Sequence, residues 1–363
     1  MDMNTRTTQS LLTLALFCAT PLRASAQPVP SYDFQWATIG SPGNATCPIV
    51  PPDPIPLDIT RNRGRVDYEY RISKLEITTT QWVDFINAFE DADPTLLPPG
   101  ARFVHGPFHM GAILDPNDTT GIGRRLVNPN IPNAAILPVT GTTWEEAALY
   151  VNWLHNGKSA DPRSLWDGAY DVTTWTRNDD GSFNHGARRP DAKFWIPTLD
   201  EWVKAGYYDP DRYGADQGGW WLYPNRSDAP MIAGFPGSGA QTSATMDIFG
   251  GALGIPLGAY SDQVSPWGLL DVSGGRYEWM DTWFHPGFDP DGPYDPRNIS
   301  KCFAASGLDV LPYESYNGAV YHIGSDVPMY FGMASFRIAG AIPSPATALI
   351  VAMGADVLRR RRV

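Results

Sequence analysis

The sequence predicts an α+β fold with few helices, short strands and much irregular loop, and three observations carry that prediction. The 363 residues include 35 Gly, 34 Pro and 13 Trp, a composition of tight turns stapled by large aromatic side chains rather than by long regular elements. Three threonines each stand three positions before Glu or Gln at the head of an apolar run: Thr78 with Gln81, Thr143 with Glu146, and Thr198 with Glu201. In each, hydroxyl and side-chain carbonyl can satisfy backbone donors reciprocally, the signature of a capped helix start. Segments that alternate apolar and polar residues, as half-buried strands do, are short and few. A hydrophobic content of 43% supports a sizeable core. The net charge of -12 removes the basic surface a nucleic-acid partner requires and favours metal cations as ionic partners.

Residues 1–26 read as a secretory signal peptide: Arg6, an apolar run from Leu11 to Ala19, then Ala24-Ser25-Ala26 ahead of Gln27. Its removal takes Cys18 away and leaves Cys47 and Cys302, which an oxidising compartment invites to pair. Residues 27–59 form a Pro-rich extension, with Pro48 to Pro56 extended because proline blocks both helix and central strand. The main domain is expected over 60–340. Val66 to Ile77 alternates for part of its length and leads into the helix capped by Thr78, with Trp82, Phe85, Ile86 and Phe89 on one face. Asp91 to Leu137 reads as loop. His105 and His109 in it read as loop histidines, since Gly106-Pro107 opposes the helix that would align them on a metal.

The helix after Thr143 is the clearest element, with Trp144, Ala147, Ala148, Val151, Leu154 and His155 on one stripe and Gly157 as its stop. Residues 157–190 and 208–265 read as insertions rich in turn chemistry. Between them, the helix capped by Thr198 buries Trp202 and Ala205. Pro266 to Trp283 sets Trp267, Trp279 and Trp283 among Asp271, Glu278 and Asp281, a buried aromatic cluster beside a carboxylate site. A last strand covers Ala334 to Ala339, with Phe336 and Ile338 on one side and Arg337 on the other. Residues 341–363 combine Pro343-Ser344-Pro345, an apolar run to Leu358 interrupted by Asp356, and Arg359 to Arg362. The run is shorter than the about 20 apolar residues of an ordinary spanning helix. It resembles the bacterial PEP-CTERM sorting tail, with Ser344 where that tail usually has glutamate. The resemblance implies an exosortase-type sorting protease and transient membrane association; the alternative is an amphipathic helix with a solvated basic end.

Taken in order, Tyr70 to Thr78 with Gln81 and Phe85, Pro138-Val139-Thr140-Gly141 with Trp144 to Ala147, Ile196 to Trp202, Gly268 to Val272 with Glu278-Trp279, and Phe336 to Ala339 resemble the formylglycine-generating enzyme, or sulfatase-modifying-factor, family. That resemblance implies a variant of the C-type-lectin fold, with Trp144, Trp202, Trp279 and Phe336 as core packing. It also implies oxidation of a sulfatase cysteine by oxygen and copper held on two enzyme cysteines, since soft thiolates suit copper(I). The region where those cysteines belong, Ala304 to Tyr313, contains none. Copper is therefore not expected, and Cys302 is the remaining candidate for a catalytic thiol. The family's calcium chemistry maps onto Asp271 and Glu278, with Gly275 where the motif has asparagine. The alternative is that these carboxylates cap turns and pair with Arg276 or Arg337.

An exported, non-oxidase binding module acting on an extracellular ligand or protein at the cell surface is the favoured expectation. The alternatives are a formylglycine-generating oxidoreductase using Cys302 and an iron-dependent tailoring enzyme built from His285 and His322 with Asp281 or Glu314. Nucleophilic hydrolysis and phosphate loops have no support, because neither a Gly-x-Ser-x-Gly elbow nor a Walker-type glycine loop occurs.

Overall fold

The computed structural model describes residues 29–48, 63–101, 111–118, 121–177, 183–244, 246, 251, 254–284, 300–304 and 334–343. The body spans Val29–Ile342. Residues 1–26, read as a signal peptide, lie outside the described residues, as do His105, His109, residues 344–363 of the stretch read as a sorting tail, and most of the Pro-rich run.

All three capping boxes form. Thr78, Thr143 and Thr198 each accept from the backbone three residues on, and Gln81, Glu146 and Glu201 each close the reciprocal bond. They start α1 (Thr79–Asn87), α2 (Trp144–His155) and α3 (Leu199–Tyr207). Each cap is worth about 1 kcal/mol, small beside the packing it positions. On α1, Trp82, Phe85 and Ile86 are fully buried, as their spacing predicts. The second helix is buried more completely than a single stripe implies: Trp144 and every residue from Glu146 to Leu154 are inside. The cause is Tyr150 and Trp153 on its far side. Tyr150 stacks on Trp82 at 5.9 Å and meets Phe85 at 5.2 Å and Phe336 at 5.4 Å.

Four antiparallel strands make the main sheet: β1 (Trp36–Ile39), β2 (Tyr70–Ser73), β13 (Ala339–Gly340) and β7 (Phe194–Trp195), in the order β1-β2-β13-β7. Its first strand lies within the stretch that the sequence presents as an N-terminal extension. Trp36 holds it there by stacking on Phe194 at 6.0 Å, with the Arg71 guanidinium 4.2 Å above the Trp36 ring. A second sheet runs β11-β10-β12, formed by β10 (Tyr277–Phe284), β11 (Ser300–Ala304) and β12 (Ala334–Ser335). Three hairpins decorate the body: β3 (Ala112–Leu114) with β4 (Arg125–Val127), β5 (Thr176–Arg177) with β6 (Phe183–Asn184), and β8 (Tyr208–Asp209) with β9 (Gly219–Trp220).

Two sequence expectations are corrected. Asp91 to Leu137 is not all loop, because β3 and β4 pair within it and Asn87 binds the Arg125 backbone from both sides, at 2.7 and 2.9 Å. The final strand is not continuous: β12 belongs to one sheet, β13 to the other, and Phe336 to Ile338 cross between them. Arg337 does not face solvent but is fully buried.

Lys204 on α3 is another buried cation, donating to the Ser41 and Val66 carbonyls at 2.9 and 3.5 Å. Desolvation lowers it from its ordinary 10.5 to about 8. In the unfolded chain it stays protonated to higher pH, so between about pH 8 and the ordinary lysine value the folded state binds fewer protons and is stabilised as pH rises. We expect wild-type stability to climb relative to Lys204→Met across that window in urea titrations at stepped pH; parallel curves would contradict it. Trp144, 2% exposed, packs on Tyr170 at 5.2 Å. Trp144→Ala should cost about 3 to 5 kcal/mol in denaturant unfolding, and a loss below about 1 kcal/mol would remove it from the core.

Candidate functional site

The segment that leads into β10 is the most contorted in the body. Gly268, Asp271, Gly274 and Gly275 all have positive φ, at 84, 54, 81 and 76°. Glycine is required at 274, where a Cβ would fall 2.5 Å from Ser243 Oγ and 2.8 Å from its backbone nitrogen. At 275, where the family motif has asparagine, a Cβ would lie 2.9 Å from Glu76 Oε1. Glu76 occupies the space an asparagine side chain would need.

This path turns Glu278 inward. Both its oxygens lie 2.9 Å from Arg337 Nε, and Oε2 also accepts from Trp202 Nε1 at 3.0 Å. Arg337 spends its remaining donors on the Lys74 and Leu270 carbonyls, at 2.5 and 2.7 Å. Neither side chain reaches solvent. Arg337 is thus drawn inside by a carboxylate 59 positions away, which is why alternation along its own strand does not place it. Of the two arginine partners open to Glu278 on sequence, the structure takes Arg337. With both oxygens committed to donors and a guanidinium already in place, Glu278 does not fit a calcium ligand, which needs free oxygens among six to eight.

Around this pair sit further ionisable groups. Burial, and then the nearby Glu278 charge, push Glu76 up to about 8, so it keeps its proton at neutral pH. Desolvation lowers Arg276 to about 10, and it remains charged. Burial also raises Glu278 itself, opposed by Arg337. A neutral Glu76 removes one negative charge from beside Glu278.

Asp271 lies on the other side of the turn, apart from Glu278 in role. Its Oδ2 accepts from the Gly258 backbone at 2.6 Å, and burial raises its pKa. It lines a small, water-sized cleft with Pro224, Met231, Gln241, Tyr260, Gln263, Val272 and Ser273. Sequence inspection brings Asp271 into view but misses Gln241, Tyr260 and Gln263, which belong to the unassigned stretch 208–265. It also passes over Glu76, two residues before a capping threonine. Among the described residues, no cluster of three or more His, Cys, Asp or Glu is arranged for a metal.

The other candidates separate. Asp281 accepts from Tyr170 Oη at 3.1 Å, while His285, His322 and Glu314 lie outside the described residues. Trp202, Trp279 and Phe336 are buried, as expected of core packing. Cys47 is buried and its backbone nitrogen donates to the Arg63 carbonyl at 2.8 Å. Cys302 lies on β11 between the pairs Trp279 with Phe303 and Trp283 with Lys301, opposite a bulge; its side chain is outside the described set.

The sulfatase-modifying factor enzyme 1-like domain matches residues 59–304, more than half of the sequence. The chain belongs to that family. No curated protein matches it. Solved structures similar to it include one titled "Crystal Structure of CarF", at 17% identity and a TM-score of 0.44, covering 85% of this chain and 98% of that one. Another is Treponema denticola variable protein 1, at 16% identity and 0.42, covering 86% and 97%.

Because the charges are fully desolvated, removing one should cost far more than removing both. Arg337→Leu alone is expected to lose about 3 to 5 kcal/mol, and Arg337→Leu with Glu278→Leu to recover most of it. A denaturant double-mutant cycle with no coupling between the two sites would refute the pairing.

Proposed function

We propose that this protein is an exported, non-oxidase member of the family, a binding module that acts outside the cell on a ligand or protein. The observation that supports the reading is the distribution of thiols. The sequence has Cys18, Cys47 and Cys302 and no cysteine after 302, whereas the family's copper chemistry uses two neighbouring thiolates beyond that point. Cleavage of the signal peptide after Ala26 would remove Cys18 and leave two.

Those two have a structural role in this reading. The Cys47 segment is bonded to Arg63, and the Gly64 backbone donates to Asp200 Oδ1 at 2.7 Å in the first turn of α3. On the other side, the Leu199 backbone donates to Thr282 Oγ1 at 2.8 Å, within the bulge that faces Cys302. Both cysteine-bearing segments therefore converge on the start of α3, and we assign Cys47 and Cys302 to a disulfide that ties them there. Export also accounts for the tail, which an exosortase-type protease would remove after transient membrane association. The calcium that the family resemblance implies finds no support at Glu278.

Purified mature protein incubated with copper, oxygen and a Cys-x-Pro-x-Arg peptide should leave the peptide thiol unchanged. Appearance of an aldehyde by mass spectrometry would overturn the reading. Thiol titration of the denatured, unreduced chain should find none free, and recovery of two would contradict the pairing.

A further inference from the structure

Glu76 is a buried acid whose oxygens are poorly met. It is 2% exposed and stands two residues before the Thr78 cap of α1. Among the described residues, Oε1 accepts one long bond, from the Arg276 backbone nitrogen at 3.4 Å, and Oε2 accepts none. Arg337 does not serve it, because its donors go to Glu278 and to the Lys74 and Leu270 carbonyls. Charged groups face Glu76 from each element around it: Glu278 on β10, Arg276 in the turn before β10, and Arg337 in the crossover between β12 and β13. Ser335 faces it from β12, yet neither Glu76 Oε2 nor Ser335 Oγ has a hydrogen bond of good geometry. Glu278 and Ser335 are register partners in the parallel β10–β12 pair, so the two acids lie where the second sheet begins. Burial first, and then Glu278, oppose ionisation of Glu76, against weaker help from the two arginines and Ser335.

The left-handed turn 271–276 lies against this acid. Glu76 touches it twice, through the Arg276 backbone nitrogen and at Gly275, where a Cβ would stand 2.9 Å from Oε1. That end of the turn is otherwise held by the Gly275 backbone donating to Ser243 Oγ at 2.9 Å, whereas β10 and β12 keep their ladder bonds. We propose that Glu76 is a proton-operated latch on this turn: as a neutral acid it seats against Gly275 and Arg276, and as a carboxylate it forces them out of place. A second dry negative charge beside Glu278 is costly, and opening the turn is the shortest way to bring water to it. The operating range follows from the surroundings. Glu76 is pushed from an ordinary 4.5 up to about 8 in the fold. Between those values the folded chain holds one proton more than the unfolded chain, so stability falls as pH rises through the window and levels off above about 8. The turn is shut at neutral pH and opens in mildly alkaline surroundings, exposing Arg276, which is otherwise 4% exposed.

The test applies pulses of trypsin to the purified protein at about pH 7 and about pH 9, dividing each rate by that of the urea-unfolded chain at the same pH. Cleavage after Arg276 should rise about tenfold in wild type, the ratio of ionised Glu76 across that interval. In Glu76→Gln, which keeps the shape without the charge, the rate should stay constant. Lys204 titrates alike in both proteins and cancels from the comparison. Cleavage after Arg71, equally buried, is the control: a rise in step with Arg276 would mean that the whole fold opens, and would overturn the latch. A constant rate in wild type, or an equal rise in Glu76→Gln, would overturn it too. If Glu76→Gln does not fold, carboxyl-carbon NMR of glutamate-labelled wild type decides alone. One resonance should titrate near pH 8, and a set that all titrate below about pH 6 would sink the proposal.

Discussion

The buried pair of Glu278 and Arg337 is the interaction on which the rest of the structure depends. Taking two charges out of water costs several kcal/mol for each, and mutual attraction offsets that only where the remaining donors and acceptors are also met. Here they are met by Trp202 from α3, by the Lys74 carbonyl beyond β2, and by the Leu270 carbonyl in the turn before β10. Four segments remote in sequence must therefore arrive together for the pair to be tolerable. This constraint also explains why the last strand is broken. The backbone at Arg337 leaves β12 to bring its guanidinium inside and then joins the other sheet as β13.

How much of this was legible in the sequence follows from the range of each interaction. The helix starts were legible because a capping box is closed by residues three apart, and Thr78, Thr143 and Thr198 all behave as their neighbours dictate. The first strand was not, because Trp36–Ile39 pairs with a strand more than thirty positions on and is held by Phe194 and Arg71 rather than by its own alternation. The β3–β4 hairpin was hidden by its brevity, three residues a side among prolines and glycines. The second helix is buried beyond the stripe its sequence shows, since Tyr150 and Trp153 lie off that stripe and are covered by Trp82 and Phe85.

The site divides in the same way. Asp271 and Glu278 stand out in a sequence dense with tryptophan and glycine, and the structure gives them different tasks: one neutralises a buried arginine, the other faces a cleft. What separates them is the left-handed turn between, which no residue pattern displays. Glu76 was invisible as an ionisable group because its proximity to Glu278 spans two hundred positions, and Gln241, Tyr260 and Gln263 come from a stretch whose local chemistry announces only turns. The missing cysteine pair, by contrast, needed no coordinates.

The position of β13 carries a consequence for how the protein is made. Ala339 pairs with Ile72 on one side and with Trp195 on the other, so the central sheet closes only when residues far beyond β7 have been synthesised. Loop closure over that span is slow and yields nothing until the final contacts form. An unfinished chain consequently presents β2 and β7 as two unjoined edges. The fold is one that cannot complete early, and β2 and β7 wait apart until β13 arrives between them.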